Sequence, residues 1–133
     1  MDKITFKEVP YTGREDDPYY NGLSADRCFE IFNERASIGL VYTSEDRITA
    51  DGLECPFYVE WLEFYGPFRG QHFLRPTLEA LYAQFGDVYF EGTLDASKYY
   101  EHIGCDSLGI DEWTELPKFR FQGKTLMGGV KWA

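Results

Sequence analysis

The sequence has few cysteines, and nothing pairs them. Cys28, Cys55 and Cys105 are odd in number and far apart, with no CxxC, which excludes a disulfide framework. Histidine is scarcer still. His72 and His102 each stand without a second ligand at helical or strand spacing, so no metal is expected. The patterns GxGxxG, GxSxG and HExxH are absent. Gly123-Lys124-Thr125 looks like the end of a phosphate-binding loop, but lysine stands at position 118, where that motif needs glycine. No basic-then-apolar leader opens the chain, and no apolar run approaches the ~18 residues of a membrane span. A soluble, cytoplasmic protein with reduced thiols and no membrane contact is therefore expected.

Positive charge is also in short supply. Thirteen basic side chains face 23 acidic ones, a net charge of −10. The imbalance sits in residues 1–68, with 14 acidic and 6 basic residues, against 9 and 7 in residues 69–133. A protein that tracks phosphates needs the opposite sign, so nucleic acid is excluded as a partner. An acidic first half attracts a basic partner, such as an amine or a Lys/Arg-rich protein, and it also serves solubility.

What is present describes one globular domain spanning residues 1–133, since domains peak at roughly 100–150 residues. A hydrophobic fraction of 44% argues against disorder. The aromatic fraction of 18% suits a β-rich or mixed core and an aromatic cleft or partner surface.

Ile4–Val9 alternates apolar and polar residues as a half-buried strand does. Proline, glycine and acid then break the pattern, leaving room only for a short helical turn near Pro18–Leu23. Arg27–Glu34 and Ser37–Thr43 read as strands joined tightly at Arg35-Ala36, and residues 44–55 read as a loop. Phe57–Tyr65 is a long aromatic strand. From Phe73 to Phe85 apolar residues recur every three or four positions, the face of a helix, and Gly86 suits its cap. Asp87–Glu91 reads as a strand, and Asp95–Ile103 as a helix with Asp95 as N-cap. Thr114–Phe121 and Thr125–Trp132 close the chain as two strands. The order is a mixed α/β fold with a strand–helix–strand–helix centre, in which the strands flanking the first helix run parallel.

The segment 57–86 carries the chemistry. A strand ending Leu62-Glu63-Phe64 leads through Tyr65-Gly66-Pro67-Phe68-Arg69-Gly70-Gln71 into an amphipathic helix. Helix starts present free N–H donors that attract anions, and Arg69 stands beside this one. The alternative is a plain turn shaped by glycine and proline. Glu60 and Glu63 lie on the same strand with opposite faces, because strand side chains alternate. Glu60 then shares a face with Tyr58, Leu62 and Phe64. A carboxylate half-buried among such residues is a candidate base, with Glu91 in reserve; ion pairing is the plainer alternative. Cys105 has no base within local reach and reads as a small buried hydrophobe.

The stretch YVEWLEFYGPFRGQHFLRPTLEALYAQFG resembles the acyl-CoA-binding motif of the GCN5-related N-acetyltransferases, a strand, a Pro-containing turn, Arg/Gln-x-x-Gly-x-Gly/Ala and a helix. Downstream, VYFEGT and DASKYYEHIGC resemble the next strand and helix of that family, with Ala96, Tyr99, Tyr100, Glu101, Ile103 and Gly104 in matching order. The resemblance covers residues 57–105. It implies a twisted mixed sheet whose fourth and fifth strands splay around a cofactor cleft, and an acyl-CoA-dependent N-acetyltransferase acting on a basic amine or a protein amine. Backbone groups of Leu62, Glu63 and Phe64 would hold the pantetheine arm of acetyl-CoA. Arg69, Gly70, Gln71, His72 and Leu74 would hold its pyrophosphate. Tyr100 falls at the position of the general acid and Glu60 is the candidate base.

Two departures stand out: His72 and Leu74 occupy positions where the family pattern has glycine. The short connection from Gly92 to Tyr100 resembles that of small proteins of this family from tailed bacteriophages. A second reading follows, a non-catalytic scaffold that binds a host or virion protein through its acidic, aromatic surface. A third, an acidic decoy of nucleic acid, rests on net charge alone.

Overall fold

A computed structural model describes residues 3–49 and 51–122. Seven strands form one sheet there: β1 (Ile4–Val9), β2 (Arg27–Asn33), β3 (Ala36–Ile48), β4 (Glu54–Phe64), β5 (Val88–Glu91), β6 (Cys105–Ile110) and β7 (Pro117–Phe121). Helix α1 (Leu74–Phe85) joins β4 to β5, and α2 (Ser97–His102) precedes β6. The spatial order is β1-β2-β3-β4-β5-β7-β6. Every neighbouring pair is antiparallel except β4 and β5, which run parallel as a strand–helix–strand unit requires. The α/β class and the parallel central pair agree with the sequence reading.

The core lies between the sheet and α1. Phe29, Ile31, Val41, Phe57, Val88 and Phe119 come from the strands, and Leu78 and Leu81 from the helix. Phe85 stacks on Phe57 with ring centroids 4.4 Å apart, fixing the end of the helix against β4. Gly86 then turns the chain at φ 89°, with its N–H bound to the Tyr82 carbonyl, in the left-handed region that glycine enters without a Cβ penalty.

Three expectations need correction. Residues 44–55 are not one loop: Ser44–Ile48 continue β3, and Glu54-Cys55 begin β4. Glu45 faces Phe57 and Arg47 faces Cys55, so pairing with an aromatic strand overrides the weak strand preference of Ser, Glu and Asp. Near Pro18–Leu23 the room left for a short turn is used by a single turn, with Tyr20 N–H on the Asp17 carbonyl at 3.0 Å, and not by a helix. The Asp17 carboxylate accepts from the N–H groups of Thr12 and Tyr19 and holds successive turns. Asp95 lies inside a 3₁₀ turn, Leu94–Ala96, and α2 starts at Ser97 with no side-chain cap. Between α2 and β7 the sequence reading has no strand, yet Cys105–Ile110 pairs with β7 as the sheet edge. Asp106, Ser107 and Gly109 hide it, because an edge strand packs one neighbour only and tolerates turn-forming residues. The strand expected over 125–132 and the Gly123-Lys124-Thr125 segment lie outside the described residues. Among the described residues, no helix is long and apolar enough to cross a membrane, and no group of His, Cys, Asp and Glu is arranged to hold a metal ion.

Candidate functional site

β4 and β5 share only two paired positions, Tyr58 with Tyr89 and Val59 with Phe90. A cause of their parting lies in β4 itself. Across the β3–β4 ladder Thr43 faces Val59 and Tyr42 faces Trp61, so Glu60 is an extra residue, a β-bulge. A bulge bends its strand and ends regular pairing nearby. It also exchanges the faces. Phe57 and Val59 pack under α1, and beyond the bulge Leu62 and Phe64 pack there too. Tyr58 belongs to a separate cluster with Cys55 and Tyr89. The expected common face for Tyr58, Glu60, Leu62 and Phe64 is therefore wrong, because strict alternation fails at the bulge.

Where the strands part, a cleft of about 700 Å³ opens. Val59, Leu62 and Phe64 line it from β4, Leu74 and Leu78 from α1, and Tyr100 from α2. Beyond Val59, the edge of β4 that faces β5 carries backbone groups with no strand paired to them among the described residues. An extended ligand can take that place.

The turn after β4 connects Phe64 to Leu74, which both line the cleft. A 3₁₀ turn at Gly66–Phe68 is followed by Arg69, whose Nε donates to the Phe64 carbonyl at 3.0 Å and anchors the turn to the strand end. Gln71 Nε2 donates to the Pro67 carbonyl at 3.3 Å. Gly70 has φ 74° and His72 φ 63°. His72 thus keeps the left-handed backbone that glycine favours while carrying a Cβ and a ring. Helix α1 begins at Leu74 without a side-chain cap, and its first backbone bond runs from Thr77 N–H to the Phe73 carbonyl at 3.0 Å. Pro76 falls in the first turn, where its missing N–H costs no helix bond. An uncapped helix start of this kind can offer backbone N–H donors to an anion, and the helix dipole adds to their pull. Leu74 points its apolar side chain into core and cleft rather than presenting bare backbone. Of these residues only Leu74 lines the cleft; Arg69, Gly70, Gln71 and His72 lie in the turn between β4 and α1, outside the lining, and Glu63, paired with Leu40 of β3, is outside it too.

Tyr100 stands on the far wall. Its ring lies edge-on to Phe90 at 5.2 Å and against Phe119 at 5.0 Å. Burial raises its hydroxyl above the ordinary tyrosine value, so it holds its proton at neutral pH. Tyr99, its neighbour, is 41% exposed, which separates the two candidates that the sequence leaves adjacent.

Beyond the bulge lies a charged end. Arg47 Nη1 donates to both carboxylate oxygens of Glu60, at 2.9 and 2.7 Å, and its guanidinium covers the Tyr58 ring at 4.3 Å. Glu60 is thus engaged by a cation. Glu91, at the end of β5, also lines the cleft, and its Oε2 is buried without a hydrogen-bond partner among the described residues. Burial raises the Glu91 carboxyl above its ordinary value, and the nearby Asp111 adds to the rise. Asp111 is 3% exposed. Burial opposes its charge, but the N–H groups of Trp113 and Thr114, bound to Oδ1 at 2.8 and 3.1 Å, hold it below the ordinary carboxylate value. Sequence reasoning passed over Arg47, because its segment read as a loop, and over Asp111, although Asp-x-x-Thr is a turn signal that could have marked it.

No known family's sequence profile matches the chain, and no curated protein matches it in sequence. Solved structures do match it in shape. The spermidine/spermine N-acetyltransferase SpeG from Vibrio cholerae is 16% identical with a TM-score of 0.53, over 93% of this chain and 98% of that one. The Bacillus subtilis N-acetyltransferase YlbP, solved in complex with coenzyme A, is 11% identical with a TM-score of 0.54, over 92% and 97%. The toxin AtaT, bound to the C-terminus of the antitoxin AtaR, is 13% identical with a TM-score of 0.52, over 99% of both chains. The splayed central strands, the uncapped helix between them and this likeness of shape converge on one conclusion: the fold of this chain is that of the GCN5-related N-acetyltransferases.

Proposed function

We propose that this chain is an acetyl-CoA-dependent N-acetyltransferase whose acceptor is a basic amine, free or carried by a Lys/Arg-rich protein. The observation that carries the reading is the cleft of about 700 Å³ where β4 leaves β5, running to the uncapped start of α1. In this reading the open edge of β4 at Leu62–Phe64 holds the pantetheine arm, as an added strand would be held. Arg69, the turn through Gly70, Gln71 and His72, and the first N–H groups of α1 at Leu74 hold the pyrophosphate. The thioester carries the acyl group to be transferred. Tyr100 supplies the proton that the departing thiolate requires. The net charge of −10 draws a cationic acceptor, in keeping with the spermidine/spermine enzyme among the structures of similar shape.

Calorimetric titration with acetyl-CoA tests the reading, with desulfo and dephospho analogues as controls. Micromolar binding that weakens in Arg69→Ala is the expected outcome. No heat at millimolar ligand would mean that the side chains of His72 and Leu74 close the site, and the chain would then be a non-catalytic scaffold of this fold.

A further inference from the structure

The cleft holds two glutamates, and the structure treats them differently. Glu60 has both oxygens on the Arg47 guanidinium at 2.9 and 2.7 Å, so its lone pairs are engaged in a charge-assisted contact. Glu91 has an oxygen that is buried and, among the described residues, without a hydrogen-bond partner beside the same cavity. We propose, resting on the transferase reading above, that Glu91 and not Glu60 takes the proton of the acceptor amine, and that Asp111 is the residue that positions it.

The loop between β6 and β7 makes this arrangement. Asp111 N–H donates to the Leu116 carbonyl at 2.9 Å, and the Asp111 carboxylate gathers the N–H groups of Trp113 and Thr114. Gly92 N–H bonds the Pro117 carbonyl at 3.0 Å, which ties the end of β5 to the same loop. The loop that carries Asp111 and Thr114 thus lies beside the end of β5, where the charge of Asp111 raises the proton affinity of Glu91 and Thr114 lowers it. The other groups around Glu91 are Arg47 from β3, and Tyr58 and Cys55 from β4. Lys118 of β7 stands opposite Glu91 in the ladder, but its Nζ is committed to Asp51 at 2.7 Å. The burial of Glu91 and then the like charge of Asp111 favour proton uptake by Glu91, while Thr114 and Arg47 oppose it.

The step balances. The amine nitrogen forms a bond to the acyl carbon as the carbon–sulfur bond breaks. The amine proton passes to the Glu91 carboxylate, and the Tyr100 hydroxyl gives its proton to the leaving sulfur. An amide and a free thiol result; the neutral amine reacts with no net proton change, and an acceptor that arrives as ammonium releases one further proton to solvent.

The test uses acetyl-CoA with n-butylamine and spermidine as probe amines. Thiol release is followed across the range in which carboxylates and amines titrate, in the wild type, Glu91→Gln, Asp111→Asn and Glu60→Gln. Glu91→Gln should lower kcat by about 10²–10⁴-fold and remove the acidic limb of the pH profile. Asp111→Asn keeps an oxygen for the two N–H groups but loses the like charge, so the acidic limb should move to lower pH. A ¹³C-carboxyl NMR titration of Glu91 needs no acceptor. Its midpoint should lie above that of an ordinary glutamate and fall in Asp111→Asn. An intact acidic limb in Glu91→Gln, its loss in Glu60→Gln alone, or an ordinary NMR midpoint for Glu91 overturns the assignment. Failure of acetyl-CoA to bind in calorimetry removes the transferase reading itself, which is a separate result.

Discussion

Gly92 and Tyr100 lie so close that a Cβ built on the glycine would stand 2.3 Å from Cε2 of the tyrosine ring. The contact joins the end of β5 to α2 and sets the ring between Phe90 and Phe119. Gly92→Ala must therefore push the ring off its seat. Overpacking of this kind costs about 1–3 kcal/mol, and urea denaturation should show it. A larger fall in acetyl transfer than the same loss of stability causes elsewhere would mark Tyr100 as the group displaced.

His72 offers a second test. At φ 63° it carries a Cβ in a region where non-glycine residues pay of order 1–3 kcal/mol. His72→Gly relieves that strain but frees the unfolded chain, a cost of roughly 0.5–1 kcal/mol, so net stability should move little. Acetyl-CoA affinity should rise in His72→Gly and not in His72→Ala, because only glycine removes the Cβ. Paired calorimetric titrations of the two variants decide it.

Asp51 and Lys118 make stability depend on pH. Lys118 is 3% exposed, and its ammonium, with Thr49, holds the Asp51 carboxyl at about 2. The folded value lies below the ordinary one of about 3.9, so the pair's contribution is complete above that pH and is lost as pH falls towards 2. Urea midpoints of the wild type and Asp51→Asn should differ by a constant amount near neutrality and converge in acid. A gap that persists at low pH would refute the ion pair as its source.

The three thiols should be silent in the folded protein. Burial pushes Cys28 and Cys55 up to about 11 and Cys105 up to about 12, so hardly any thiolate exists at neutral pH. A disulfide reagent should titrate none of them until denaturant is added. Rapid labelling of Cys105 in the native state would show that α2 and β6 open locally.

The β3–β4 junction shows a limit of reading by pattern. Gly39 sits opposite Phe64, and a Cβ there would lie 2.1 Å from the Glu63 carbonyl oxygen. Nothing in Ser37-Ile38-Gly39-Leu40 announces that approach. The same ladder carries the bulge at Glu60, which sends Leu62 and Phe64 to the α1 side. Alternation alone assigns them to the opposite face. Ser44–Arg47 reads as loop by residue preference, and only pairing with Glu54–Tyr58 makes it strand.

Local chemistry was enough for much of the architecture. The 3.6-residue period of Phe73–Phe85, the cap at Gly86 and the aromatic run through β4 each act within a few residues, so the strand–helix–strand centre and its parallel sense were legible in the chain itself. The convergence of Arg69, His72 and Leu74 at a helix start was legible for the same reason. The tertiary structure alone decided which carboxylate is engaged and which is left with a buried oxygen that has no hydrogen-bond partner among the described residues. Arg47 reaches Glu60 from 13 positions away, and Asp111 reaches Glu91 across the β6–β7 loop. Electrostatics acts through space rather than along the chain, so the character of those side chains exists only once the sheet has closed around them.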